Sequence, residues 1–285
     1  MKKLLYLLLL TPIIYLVSCS KSNVTPTTNT PHTYINHPNS ALTIIPDANF
    51  EQVLIDLGYD NNLNGSVYTA MINEVTRFAV NSWDSISDLT GIENFTALDT
   101  LHCESTQLTS LYLSRNTALT YLNCDFNQLT SLDLSSNTAL LYLQLFNNNQ
   151  LTSLDVSGAT ALTYLNCSNN QLTSLDLSSN TALTSLNCYS NQLTSLDLSS
   201  NTALTFLNCG SNQLTSLDLA SNTDLFDLSC RYNQLTSLDV SNNTALVHLG
   251  FRNNPYLNCI NVANFQYAYD NWYLDTYQYF SEDCP

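Results

Sequence analysis

Nine cysteines carry the most evident capacity for chemistry in this 285-residue chain, and their spacing decides which chemistry is open to them. Cys103, Cys124, Cys167, Cys188, Cys209 and Cys230 fall in one column of a 21-residue repeat, with Leu145 and Phe251 in the same column. A row of thiols one period apart invites disulfide bonding or metal coordination. On parallel, in-register strands the Cβ vectors point the same way, which is poor disulfide geometry. The C-x-x-C spacing of zinc sites is missing. Leu145 and Phe251 stand where a ligand or nucleophile could not be spared, so the thiols read as small apolar core residues. Cys259 and Cys284 lie off the column in the final segment and are the natural disulfide in an oxidising compartment.

A second column is acidic: Asp133, Asp155, Asp176, Asp197, Asp218 and Asp239, with Tyr112 in the first unit. Like charges one coil apart repel. Solvent, hydrogen bonds from the Ser and Thr columns, or a cation must offset this. Hydrogen bonding with screening is the simpler reading; calcium along the column would instead raise the melting temperature. No metal or cofactor is called for.

A third set varies between copies while the core columns stay constant: Tyr121, Asp125, Phe126, Tyr142, Phe146, Tyr164, Tyr189, Phe206, Arg231, Tyr232, His248 and Arg252. Exposed Tyr, Phe and Arg are favoured contact residues. Aromatic residues also suit strands and stack across them, so contact and sheet stabilisation both stay open. Protein docking and sugar stacking would use the same stripe. Catalysis has no signature: G-x-S-x-G, P-loop and H-E-x-x-H motifs are all missing. Only His102 and His248 lie in the repeats, at opposite ends.

The elements that must position these columns follow from the repeat. Units begin at Leu98, Leu119, Leu140, Leu162, Leu183, Leu204 and Leu225, with a degenerate one at Leu246. A fixed short period with Leu at fixed offsets means a solenoid. In the fourth unit Leu162, Leu165 and Cys167 form the strand half, whose copies stack into a parallel sheet. Asn170 turns inward as part of a ladder with Asn127, Asn149, Asn191, Asn212, Asn233 and Asn254. Leu172, Leu175 and Leu177 face inward on the return half, where Thr and Ser disfavour a helix. An extra residue in Phe146-Asn147-Asn148-Asn149 predicts a small bulge.

Upstream, Phe50, Val53, Leu54 and Leu57 make one apolar stripe between the start signal Pro46-Asp47 and Gly58, predicting one helix over 45–58 that caps the open end of the solenoid. Asp60, Asn62, Asn64 and Gly65 match the start of a calcium loop, but Met71 holds the twelfth position, so a plain turn is the better reading. Residues 20–40, rich in Ser, Thr, Asn and Pro, read as a flexible tether in which His32 and His37 are solvated. Lys2, Lys3 and the apolar run Leu4–Val17 read as a removable export segment.

Three resemblances add to this. Ile86-Ser87-Asp88-Leu89-Thr90-Gly91-Ile92 and the following units resemble internalin-type leucine-rich repeats, and the Cys-bearing unit resembles their cysteine-ladder branch. Leu16-Val17-Ser18-Cys19 resembles a bacterial lipobox, which implies cleavage before Cys19, its lipidation, and a place at the outer membrane. Helix, repeats and tail together resemble leucine-rich repeat proteins of the Bacteroidetes. The expected fold is a mainly β leucine-rich repeat solenoid. Its expected organisation is a signal peptide at 1–18, tether at 19–40, N-terminal cap at 41–74, solenoid at 75–250 and C-terminal cap at 251–285. The resemblance implies adhesion or partner binding without a specific target; the expected function is a non-catalytic, monomeric recognition module for an unidentified protein or glycan, with a structural envelope protein or a carbohydrate-capture protein in nutrient uptake as the alternatives. The chain from Cys19 onward sets five basic residues against 23 acidic ones, a formal charge of −18. Nothing there neutralises phosphates, so nucleic acid is excluded as a partner and a membrane would be reached through the lipid alone.

Overall fold

The computed structural model describes residues 41–284; the export segment, Cys19 and the tether with His32 and His37 lie outside them. The chain opens with β1 (Leu42–Ile44), α1 (Ala48–Asp56), β2 (Ser66–Tyr68) and α2 (Thr69–Ile72). Strands β3 (Arg77–Ala79), β4 (Thr100–His102), β5 (Tyr121–Asn123), β6 (Ser131–Asp133), β7 (Tyr142–Gln144) and β8 (Ser153–Asp155) follow. Then come β9 (Tyr164–Asn166), β10 (Ser185–Asn187), β11 (Phe206–Asn208), β12 (Asp227–Ser229), β13 (Leu238–Asp239) and β14 (His248–Gly250). The chain closes with β15 (Cys259–Asn261), α3 (Phe265–Asn271) and β16 (Tyr279–Ser281).

Nine of these strands, β3, β4, β5, β7, β9, β10, β11, β12 and β14, form one parallel sheet in chain order. Each residue therefore pairs with its own counterpart one coil on, as Leu165 does with Leu186 and Leu186 with Leu207. This is what turns a sequence period into spatial columns. The middle residue of each strand points into the core and the two flanking ones point out, the alternation a strand imposes. The return half is turns and extended chain, with β6 pairing β8, because its Ser and Thr positions favour local hydrogen bonds over a helix. Leu162, Leu165, Cys167, Leu172, Leu175 and Leu177 are all buried, so one coil supplies a complete ring of core side chains.

Buried backbone carbonyls at the coil corners need donors, and two asparagine ladders supply them. Asn212 is typical of the first: Nδ2 donates to the Cys188 and Cys209 carbonyls at 3.0 and 3.1 Å, and Oδ1 accepts Leu193 N–H at 3.0 Å. In the third coil the rung is Asn148, fully buried, and not Asn149, which is exposed. The extra residue therefore lies after the rung, between Asn148 and Leu151, where the longer turn absorbs it. A second ladder, Asn116, Asn137, Asn180, Asn201, Asn222 and Asn243, was not anticipated. Asn201 donates to the Leu177 and Asn180 carbonyls at 3.1 and 2.9 Å. Its signal is the Asn of S-S-N-T-A, which only the third unit replaces, with Ala159.

The first helix, Ala48–Asp56, is shorter than the expected 45–58: Asp47 in extended backbone is its N-cap, and a proline at 46 disfavours helix in the residue before it. Asp47 Oδ1 caps Asn49 and Phe50 N–H, and Oδ2 accepts Ser87 and Asp88 N–H, so one carboxylate joins the cap to the first repeat. Phe50, Phe78 and Phe95 pack together beneath it with centroids 5.3–6.2 Å apart. Buried Glu51 accepts the N–H groups of Asn64, Gly65 and Ser66. The turn thus converges donors on an anion, the polarity opposite to a cation loop.

At the other end Cys259 and Cys284 are bridged, with Cα atoms 5.9 Å apart, where β15 and β16 pair. Phe280 packs edge-on against Phe251 of the last coil and against Trp272.

Candidate functional site

The first outward column of the sheet holds Tyr121, Tyr142 and Tyr164 in direct register. Their rings stack nearly parallel, at 4.8 Å and 4° for the first pair and 4.2 Å and 7° for the second. His102 covers the outer end of the stack, 4.8 Å from Tyr121. Half-burial in this stack pushes the Tyr121 hydroxyl up to about 12, with Tyr142, Asp125 and Glu104 adding to the effect. Tyr164 is raised further for the same first reason. The hydroxyls therefore stay protonated, as hydrogen-bonding groups. Burial also lowers His102, against the pull of Glu104, so that it is neutral at pH 7.

Asp125 is less open than its outward column implied. Its Oδ1 accepts Phe146 N–H at 2.6 Å. Burial pushes its carboxyl up to about 6; the Phe146 bond opposes this and Glu104 reinforces it.

Phe126, Phe146, Tyr189, Arg231, Tyr232 and Arg252 lie in the turn just after the strands. Phe126 and Phe146 meet edge-on at 5.0 Å. Tyr189 leans towards Gly210, and Arg231 lies over Gly250, where a Cβ would fall 2.6 Å from its Nε. His248 touches Phe226 at 5.7 Å. Arg252 is drawn away from the face: its Nε donates to Asp275 of the C-terminal cap at 2.9 Å. Phe206 stands in the tyrosine column but apart from it, beyond Ser185.

One position of this turn has a backbone cost. Ser105, Phe126, Asn147, Asn169, Ser190, Ser211, Tyr232 and Asn253 all adopt left-handed φ of 52–62°. Asn tolerates that conformation, whereas a bulky aromatic does so against a penalty of roughly 1–2 kcal/mol. Phe126 and Tyr232 are nevertheless 49% and 56% exposed, so about half of each side chain faces solvent.

A second outward column, not among the candidate contact residues, holds Asn123, Gln144, Asn166, Asn187 and Asn208. Each strand's third residue faces out, so these amides run alongside the aromatic column. Asn123 Nδ2 donates to Glu104 at 3.0 Å, Gln144 Nε2 to Tyr142 Oη at 3.1 Å, and Asn166 Nδ2 to Gln144 at 3.0 Å.

Comparison with known proteins agrees with this geometry. The family model for leucine-rich repeats in two copies matches residues 160–201. Internalin C2 from Listeria monocytogenes superposes with a TM-score of 0.58 at 22% identity, over 77% of this chain and 94% of that one. The fold is a leucine-rich repeat solenoid. The functional domain of InlJ from the same organism, described as including a cysteine ladder, is 30% identical with a TM-score of 0.44. That alignment covers 77% of this chain but 63% of the InlJ chain. No curated protein matches the sequence.

Within the leucine-rich repeat solenoid the remaining two columns are structural. All six ladder cysteines are free and fully buried. Burial pushes Cys167 and Cys209 up to about 12, which keeps them protonated and inert. On the opposite side each column aspartate accepts the backbone N–H two residues on, at 2.8–2.9 Å from Asp133 to Asp239. Asp218 does so with Ala220, so the backbone and not a hydroxyl is the essential donor. That bond holds Asp176 and Asp197 below the usual carboxylate range. Among the described residues no group of three or more His, Cys, Asp or Glu is placed to hold a metal. A shallow trough of about 270 Å³ beside Asp176 and Asp197 lies between return turns, away from the aromatic face.

Proposed function

We propose that this chain is a non-catalytic recognition module of the cell envelope, anchored through lipidated Cys19, that holds a protein or glycan on the strand-side face. The observation that carries the reading is the strained, exposed placement of Phe126 and Tyr232. A large aromatic held in a disfavoured backbone conformation with half of its surface in solvent points to a role in contact. The variable aromatic and amide columns beside them extend over several coils, the form of surface that repeat scaffolds use for binding. The lipobox-like Leu16-Val17-Ser18-Cys19 supports anchoring, with outer-membrane placement following from Ser20. The acidic balance favours partners other than nucleic acid, and the module acts as a monomer in this reading. A structural envelope role is the alternative, favoured by the mutual stacking of Tyr121, Tyr142 and Tyr164.

Two double variants separate these. Lipid-free protein, with Tyr142 and Tyr164 both changed to Ala or with Phe126 and Tyr232 both changed to Asn, is compared with the unmodified chain in capture from envelope proteins and glycans. Recognition predicts lost capture with an unchanged circular dichroism spectrum. Equal capture by all three proteins would sink the proposal and leave the structural role.

A further inference from the structure

The outward aromatic column is interrupted once. Register sets Ser185 between Tyr164 and Phe206. Among the described residues no ring contact joins those two, whereas one register step brings Tyr121 to Tyr142 and Tyr142 to Tyr164 within 4.2–4.8 Å. Two strand spacings amount to about 9–10 Å. That is the separation at which a single flat guest touches a ring on each side. The near side of the gap is the uncovered face of Tyr164, since its other face lies against Tyr142.

The chemistry around the gap narrows the guest. Ser185 leaves a small hydroxyl at its floor. Beside it Asn187 and Asn208 use Oδ1 to accept the N–H groups of Tyr189 at 3.1 Å and Gly210 at 3.2 Å. Those bonds orient both amides, and among the described residues neither Nδ2 has an acceptor. Two apolar walls, a hydroxyl floor and an edge of amide donors suit a guest with flat apolar faces and an oxygen-bearing rim. The aromatic side chain of a protein partner would set a carbon edge against those donors and leave them unpaired once water is displaced, at a cost of about 1–3 kcal/mol each. Charge narrows it further: Asp227 flanks Phe206 one coil on, and Arg231, beside it, lies over Gly250 on the side away from Ser185. Among the described residues no cation borders the gap to receive an anionic sugar.

We propose that the gap at Ser185 is a subsite for one neutral hexopyranose residue of a glycan, held between Tyr164 and Phe206 with the Asn187 and Asn208 amides donating to its hydroxyls. This rests on the strand face being the recognition surface and specifies what part of that face takes.

The test is saturation-transfer NMR with titration calorimetry on the lipid-free chain, using neutral gluco-, galacto- and manno-configured oligosaccharides. At least one should receive saturation. Ser185→Tyr continues the column with the residue type already used at Tyr142 and Tyr164, so it should fold, and it should weaken that sugar at least tenfold. Phe206→Ala removes one wall without adding bulk and should weaken it severalfold, as should Asn187→Ala. The proposal is overturned if no neutral oligosaccharide receives saturation, if Ser185→Tyr and Phe206→Ala both bind like the parent, or if only tryptophan-bearing peptides compete for the gap. Should Ser185→Tyr retain the capture that the Tyr142/Tyr164 double variant loses, the recognition face stands and the sugar subsite falls. Should neither lose it, both fall.

Discussion

The ring of Tyr142 lies flat between those of Tyr121 and Tyr164, 4.2 Å from the latter and only 7° from parallel to it. Both its faces are therefore occupied within the protein, and only its edge and hydroxyl meet solvent. Cross-strand aromatic pairs contribute about 0.5–1.5 kcal/mol each beyond their buried area. Tyr142→Ala, which breaks two of them, should lower stability by roughly 1–3 kcal/mol in urea denaturation. No measurable change would mean the stack is incidental to the sheet.

Tyr232 predicts the opposite sign. Its left-handed backbone, φ 57°, is one that Asn253 adopts in the next coil. Tyr232→Asn should raise stability by about 1 kcal/mol while weakening whatever the face binds. A destabilised Tyr232→Asn protein would show that the tyrosine packs more than it strains.

Gly158 stands where most other units carry Ser, yet consensus should fail there. A Cβ at Gly158 would fall 1.8 Å from the Ser135 carbonyl oxygen of the preceding coil, and the obstacle is backbone, which cannot swing aside. Gly158→Ser should cost about 2–4 kcal/mol or displace the third coil, in contrast to the usual gain from consensus substitutions. Thermal unfolding of that single variant decides it.

Asp125 and the aspartate column should shape the pH profile in opposite directions. The Asp125 carboxyl titrates at about 6 in the folded chain against 3.8 as its ordinary value. The folded state holds that proton longer, so stability falls as pH rises from about 4 through 6, and the penalty is complete above it. Asp125→Asn keeps an acceptor for Phe146 N–H and removes the charge. It should stabilise by about 1–2 kcal/mol at pH 7.5 and by nothing at pH 3.5. Asp176 and Asp197 are depressed, so their contribution is present above the ordinary carboxylate range and is lost as pH falls below it. Unfolding curves across pH 3–8 for both sets of variants would show a parallel shift if these assignments are wrong.

The Cys259–Cys284 bridge closes a loop with a sequence separation of 25. Closing such a loop is worth about 3.5 kcal/mol in the unfolded-state entropy model. Changing both to Ser should free β16 and α3 from the last coil and speed hydrogen exchange there, while β4–β11 stay protected, because coils contact only their neighbours. Uniform loss of protection would mean the cap sets the stability of the whole array.

The repeat made much of this legible. Leu165, Cys167 and Leu177 recur at constant offsets, replaced only by apolar residues such as Leu145, Phe251 and Val156, and a column that stays apolar in a stacked coil has to be core. The varying positions stood out against them. What stayed hidden was which partners the outward and corner amides meet. Strand alternation sends Asn187 and Asn208 outward, but the N–H groups their Oδ1 atoms accept were not legible. Asn201 and its ladder partners looked like turn residues until the corner carbonyls they serve were in view. The shift from Asn149 to Asn148 has the same origin: three consecutive asparagines offer no way to tell which one turns inward.

By itself, then, the sequence determined the solenoid, its 21-residue coils, the buried thiols and the terminal bridge, because period and residue type are enough to say which faces must leave water. Only the tertiary structure decided which outward groups meet. It stacked Tyr121, Tyr142 and Tyr164, withdrew Arg252 to Asp275, tucked Asp125 beneath Phe146 N–H, and left Ser185 as a gap between two rings. The physical reason is that burial follows from a residue's own column, whereas which outward groups touch depends on side-chain rotamers and on neighbours outside the repeat, which have no period to read.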